Sequence, residues 1–175
     1  MKRWFFALFI LSSSILFAQA NPSLSPSSSL PVVDGAVASG EYQFTTVVSD
    51  MTLGATLGTD GNLYLSIQAK TGGWVALGVG GQKMNGSRLF IAYDTGSKQS
   101  FSEEKGMGHF HVKDKDSVVS KWVVKKDGDV TTLELVLPAS AAVDKGVLDL
   151  LFAYAESTGF VHHKARGSME FAVQS

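Results

Sequence analysis

The chemistry this chain could perform rests on its histidines and methionines. There are four histidines, His109, His111, His162 and His163, and four methionines after the start, Met51, Met84, Met107 and Met169. There is no cysteine. That excludes a disulfide framework, a thiolate zinc site, an iron–sulfur cluster and covalent c-type haem attachment. A bound metal or cofactor must be held by His, Met, carboxylates or backbone. Thioether sulfur suits haem iron or copper rather than zinc, calcium or magnesium.

Three places collect these residues. Met84 lies in the glycine-rich polar stretch Gly80-Gly81-Gln82-Lys83-Met84-Asn85-Gly86-Ser87. It reads either as a plug at the mouth of a core or as a thioether ligand. His162-His163 follows an apolar run and a Ser-Thr-Gly turn, with Arg166 and Gly167 close behind. Adjacent residues on a strand point to opposite faces, so one of the pair faces inward. Met107, His109 and His111 alternate and would share one face of an extended strand, which could hold copper; the plainer reading is an exposed polar segment among charged neighbours. Motifs for a serine-nucleophile elbow, a zinc protease or a phosphate-binding loop are absent from the sequence.

The elements that must position these residues read as strands. Leu63, Leu65, Ile67 and Ala69 alternate with Asn62, Tyr64, Ser66, Gln68 and Lys70, which predicts a half-buried strand over 62–70. Asp60-Gly61 precedes it as a hairpin turn, with a partner strand at about 52–58. Further strands are predicted over 74–80, 88–94, 117–125, 130–137, 147–155 and 168–173, with a second hairpin turn at Asp127-Gly128. Residues 138–143 could form one helical turn. Many short strands with eighteen glycines to serve the turns predict a β-sandwich or barrel. The expectation is nine to eleven antiparallel strands in two sheets.

The ends of the chain are of another kind. Lys2 and Arg3, the apolar run from Phe5 and the small residues of Ala18-Gln19-Ala20 predict a secretory signal peptide over 1–20. Membrane contact is then expected only if that segment stays uncleaved. Residues 21–31, rich in Ser and Pro, read as a linker, and 32–175 as the folded domain. Cleavage removes two basic residues and leaves a net charge of −3, so the product is expected to be exported, to a periplasm or outside the cell. Hydrophobic residues at 45% and charged residues at 18% exclude a disordered tail. The charge balance gives no reason to expect nucleic acid as a partner.

Three segments in this order resemble the DOMON domain family: Asp34-Gly35 with Glu41-Tyr42, then residues 60–93, then Phe160 to Ser168. The resemblance spans roughly residues 32–173. It implies an immunoglobulin-like antiparallel β-sandwich and, as in the cytochrome domain of cellobiose dehydrogenase, a non-covalent haem b with one Met and one His as axial ligands. Met84 then matches the Met. His163, followed by Arg166-Gly167, matches the His, with His162 as the alternative. Trp74, Arg88, Lys164 and Arg166 are the expected cofactor-binding residues, and the expected role is electron transfer to a redox partner protein, with no catalysis of its own. Other members of the family imply one alternative, a haem-free carbohydrate or small-ligand module, and the residues Met107, His109 and His111, with Met84, give another, a periplasmic copper-binding protein.

Overall fold

The computed structural model describes residues 21–160 and 162–174; the predicted signal peptide lies outside them. The described chain is built from β1 (Ser23–Leu24), β2 (Phe44–Val48), β3 (Met51–Leu57), β4 (Asn62–Lys70), β5 (Val75–Val79), β6 (Arg88–Asp94) and β7 (Gln99–Met107). It continues with β8 (Phe110–Lys113), β9 (Lys121–Asp127), β10 (Val130–Pro138), β11 (Val143–Asp144), β12 (Val147–Tyr154) and β13 (Ala165–Val173). A single 3-10 turn, Ala139–Ala141, stands where one helical turn is expected. One sheet runs β2-β3-β4-β10-β9 and the other β1-β13-β12-β5-β6-β7-β8, with β11 on β12. The expected all-β sandwich is therefore the fold. Its thirteen strands exceed the expected count, and two of them, β1 and β11, are only two residues long.

Period-two alternation builds the core between the sheets. From the five-stranded sheet come Leu53, Ala55, Leu63, Leu65, Ile67, Leu133 and Leu135. From the other come Val75, Leu77, Val79, Phe90, Leu148, Leu150, Phe152 and Phe171. Burying each such aliphatic or aromatic side chain contributes about 1.5–3 kcal/mol, and with no cysteine this core carries the fold alone.

Two expectations need correction. Residues 21–31 are not a free linker. Ser23 and Leu24 pair in parallel with Ala172 and Val173, and Leu24 is fully buried. One apolar side chain aimed at the sandwich edge is enough to draw a polar segment into the fold. Nor is β4 half-buried. Tyr64 and Ser66, on its outer side, are also buried, because residues 32–43 cover that face. Where β5 is concerned, burial on both faces is as its unbroken apolar run predicts.

The candidate site on the outer face of the larger sheet

The outer face of the eight-stranded sheet carries a second apolar cluster: Trp74, Ala76, Leu89, Ile91 and Ala155, with Met84, Tyr93, Leu151, Ala153 and Phe160 packed against it. The floor is low. Ala76 lies between Ala153 and Ile91, and Gly78 between Leu151 and Leu89. A Cβ on Gly78 would meet Leu89 Cδ2 at 2.8 Å, so the glycine lets neighbouring side chains lie flat across it.

Met84 reaches this face from the β5–β6 loop, which is pinned to β7. Gly86 N donates to Gly106 O (2.9 Å), Gly106 N to Ser87 O (2.9 Å), and Gly108 N to Asn85 Oδ1 (2.8 Å). Ser87 Oγ donates to Lys83 O (2.6 Å), which closes the loop on itself. The contact tolerates only glycine: a Cβ on Gly106 would sit 1.7 Å from Met84 O. Met84 is half-buried and packs against the apolar cluster, as the plug reading expects.

The β12–β13 segment folds over the same face. Trp74 Nε1 donates to Gly159 O (3.1 Å), and Trp74 N to Ser157 O (3.3 Å). Phe160 meets Trp74 and Tyr93 edge-on, at centroid distances of 6.4 and 6.1 Å. His162 and His163 follow, both exposed, so neither faces the interior as one of an adjacent pair was expected to. Their segment precedes β13 and does not continue the strand alternation. Partial desolvation, then the positive charges of Arg166 and His162, lower the pKa of His163. The shift favours the neutral imidazole, whose lone pair is free.

The expected cofactor-binding residues are dispersed. Trp74 is buried within the cluster, and Arg166 stands exposed across from Ala153. Lys164 pairs with Glu156. Arg88 has the opposite strand parity from Leu89 and Ile91, and its guanidinium meets Glu103 (3.5 Å) and Asp114 (3.3 Å). It ties residues 114–119 to β7, where Glu103 also accepts from Ser117 Oγ (2.5 Å), Val118 N (3.0 Å) and Val119 N (3.2 Å). Two surface depressions, of about 320 and 460 Å³, are lined by neither Met84 nor His163.

Met107, His109 and His111 do not share a face. A hairpin turn at Gly108, whose φ is +65°, breaks the extended strand and pairs Met107 with Phe110 and Gly106 with His111. His111 therefore projects on the Gly106 side and Met107 on the other. The polar appearance of this stretch concealed the hairpin, and the glycine before His109 was the signal for it. No group of three or more His, Asp or Glu side chains converges on a common point among the described residues.

The fold of this chain, a β-sandwich of two sheets, is shared with domains of known structure. The structure resembles the cytochrome domain of Myriococcum thermophilum cellobiose dehydrogenase, with a TM-score of 0.58 and 13% identity, over 75% of this chain and 81% of that one. The cytochrome b domain of Coprinopsis cinerea pyranose dehydrogenase follows at 0.49 and 12%, over 70% and 76%. A family 9 carbohydrate-binding module from Caldicellulosiruptor kristjanssonii, solved with glucose, stands at 0.48 and 14%, over 87% and 96%. No family profile matches the chain, and no curated protein matches it significantly. At such identities the likeness is one of fold, and function must be argued from the site.

Proposed function

We propose that this protein is an exported DOMON-type domain that binds haem b non-covalently and relays electrons, with Met84 and His163 as the residues that would hold the iron. The observation that carries the reading is convergence on one face: Met84 packs on the cluster around Trp74, and the segment leading to His163 is fastened over it by Trp74 and Phe160. The residues fit the group. A low floor of Ala76, Gly78 and Ala153 between apolar walls suits a flat macrocycle, and thioether with neutral imidazole is a donor set for haem iron.

Bound there, the haem supplies a one-electron couple. The chain's own part is to fix and shield it. The hydrogen bonds from Gly86, Gly106 and Gly108 hold the Met84 loop still. Met84 and His163 would hold the iron between them, and a haem so held would supply electron transfer in place of catalysis. Leu89, Ile91 and Trp74 keep water from the buried side. Arg166 is the cation best placed for a propionate, since Arg88 and Lys164 already serve carboxylates of the chain. The redox partner is a protein reached after export through the signal segment.

Absorption spectra of the haem-supplemented protein, oxidised and dithionite-reduced, test this directly. Sharp reduced α and β bands beside a Soret band are expected, and both Met84→Ala and His163→Ala should lose the low-spin signature. A protein that stays colourless with haem present leaves the ligand-binding module as the reading to pursue.

A further inference from the structure

His111 has no part in that reading, yet it is the most deliberately placed histidine of the chain. Its Nδ1 contacts Glu104 Oε2, and its side chain is only 20% exposed. Glu104 is itself buried, at 8% exposure, and its other oxygen accepts from Ser102 Oγ at 2.8 Å. A carboxylate accepting from Nδ1–H fixes the ring and leaves Nε2 with a free lone pair, the arrangement that orients metal-ligating histidines.

What lies next to that free nitrogen follows from the sheet register. Leu89 of the apolar cluster pairs with Glu104, so Glu104 and Gly106 are on the outer face. His111 pairs directly with Gly106, and side chains so paired have Cβ atoms about 4.5–5.5 Å apart. Gly106 has no side chain, and that space is taken by Met84: its backbone carbonyl O lies 1.7 Å and its Cγ 3.0 Å from where a Cβ would be. Met84 and His111 therefore flank one glycine on one face, with the loop and the hairpin tied by Asn85 and Gly108.

We infer that Met84 and His111 form a binding site for Cu(I), with Glu104 as the positioning residue for the His111 ring. Sulfur and imidazole without a second histidine or a free carboxylate select a soft monovalent cation and not calcium, magnesium or zinc. Neither Met107, on the opposite face, nor His163 belongs to the site. The site goes beyond the haem reading and competes with it for the Met84 sulfur alone, so haem and Cu(I) exclude each other.

The experiment is titration of the haem-free protein with Cu(I), under reducing and anaerobic conditions, against a chromophoric Cu(I) chelator. Equimolar binding is expected. His111→Ala and His111→Asn should abolish it, Glu104→Gln should weaken it by about 10–100-fold, and Met107→Ala and His163→Ala should leave it unchanged. In wild-type protein with ¹³C-methyl methionine, only the Met84 resonance should move, a readout that needs no variant to fold. Absence of binding, binding retained in both His111 variants, or a shift at Met107 in place of Met84 would overturn the site. Haem uptake separates the two ideas: His111→Ala keeps it and His163→Ala loses it, so either reading can fail while the other stands.

Discussion

The two sheets share one core but treat their outer faces in opposite ways. On the five-stranded sheet the chain covers itself. Residues 32–43 lie across β4 and β10, and Val33, Tyr42, Tyr64 and Val136 form a third apolar cluster there. At its centre is Glu134, fully buried, with Oε1 accepting from Tyr42 Oη (2.7 Å) and Oε2 from Gly35 N (2.6 Å) and Asp34 N (3.1 Å). Gly54 makes room: a Cβ there would lie 2.7 Å from Tyr42 Cγ. On the larger sheet the cover consists of two loops, one bearing Met84 and the other leading to His163. A face closed by a satisfied buried charge is committed to structure. A face closed by loops, with a methionine packed beneath them, is one on which function can be built.

Breaking the closed face should have the largest effect. Glu134→Ala leaves the Tyr42 hydroxyl and two backbone amides without an acceptor. At about 1–3 kcal/mol for each buried donor left unpaired, partly relieved by relaxation, the loss should be roughly 3–5 kcal/mol. Urea denaturation measures it. The Met84 face should keep its ligand affinity under conditions where the variant is still folded; a parallel loss of binding would mean the two faces are not independent.

Next comes Gly106→Ala, which strikes the joint between the Met84 loop and β7. The new methyl would collide with backbone at Met84 O, so the loop must move. Overpacking of this kind costs about 1–3 kcal/mol. The informative result is the ratio of effects: haem and Cu(I) binding should fall far more than stability does. Full retention of both would detach the loop from the site.

This contrast also marks what the sequence disclosed. Strands β4, β6 and β10 were readable because alternation and turn residues report directly on backbone geometry. The Asp34-Gly35 and Glu41-Tyr42 segments were readable as family marks but not in their role. Asp34, Gly35 and Tyr42 meet a carboxylate about a hundred residues away, and Glu134 sits in its strand where a solvent-facing residue would. Nothing local distinguishes an outer face left to water from one the chain later covers. The same limit hid the Glu104–His111 pair, which depends on a hairpin and not on spacing. Met84 was legible as a residue type in a loop, but its place on the outer apolar cluster depends on how that loop folds back over the sheet.

Alkaline pH offers a subtler probe of the closed face. Burial, then the charge of Glu134, raises the Tyr42 pKa well above its ordinary 10.0. Tyr64 is pushed up to about 12 by burial and then by Asp60. Both phenols stay protonated in the folded protein at a pH where the unfolded chain ionises them. The unfolded state then binds fewer protons, so stability falls as pH rises. The contribution is complete below pH 10 and is lost progressively above it: for Tyr64 up to about pH 12, for Tyr42 beyond that. The slope is at most about 1.4 kcal/mol per pH unit for each tyrosine. Tyr42→Phe should flatten it, as followed by denaturant midpoints across pH 9–11. An unchanged slope would place the linkage elsewhere.

The smallest effect is expected on the open face. Phe160→Leu keeps apolar bulk over Trp74 but removes two edge-on aromatic contacts, worth about 0.5–1.5 kcal/mol each beyond the area they bury. Phe160 is only half-buried, so the lower end of that range applies. Trp74 should report the change through a red-shifted emission as its indole gains water, provided the Nε1 bond to Gly159 loosens with it. The contrast between the faces is sharpest here. If losing Phe160 cost as much as losing Glu134, the cover over Trp74 would be as structural as the one over Tyr42. A small cost with a clear change in Trp74 emission is what a face kept available for a ligand requires.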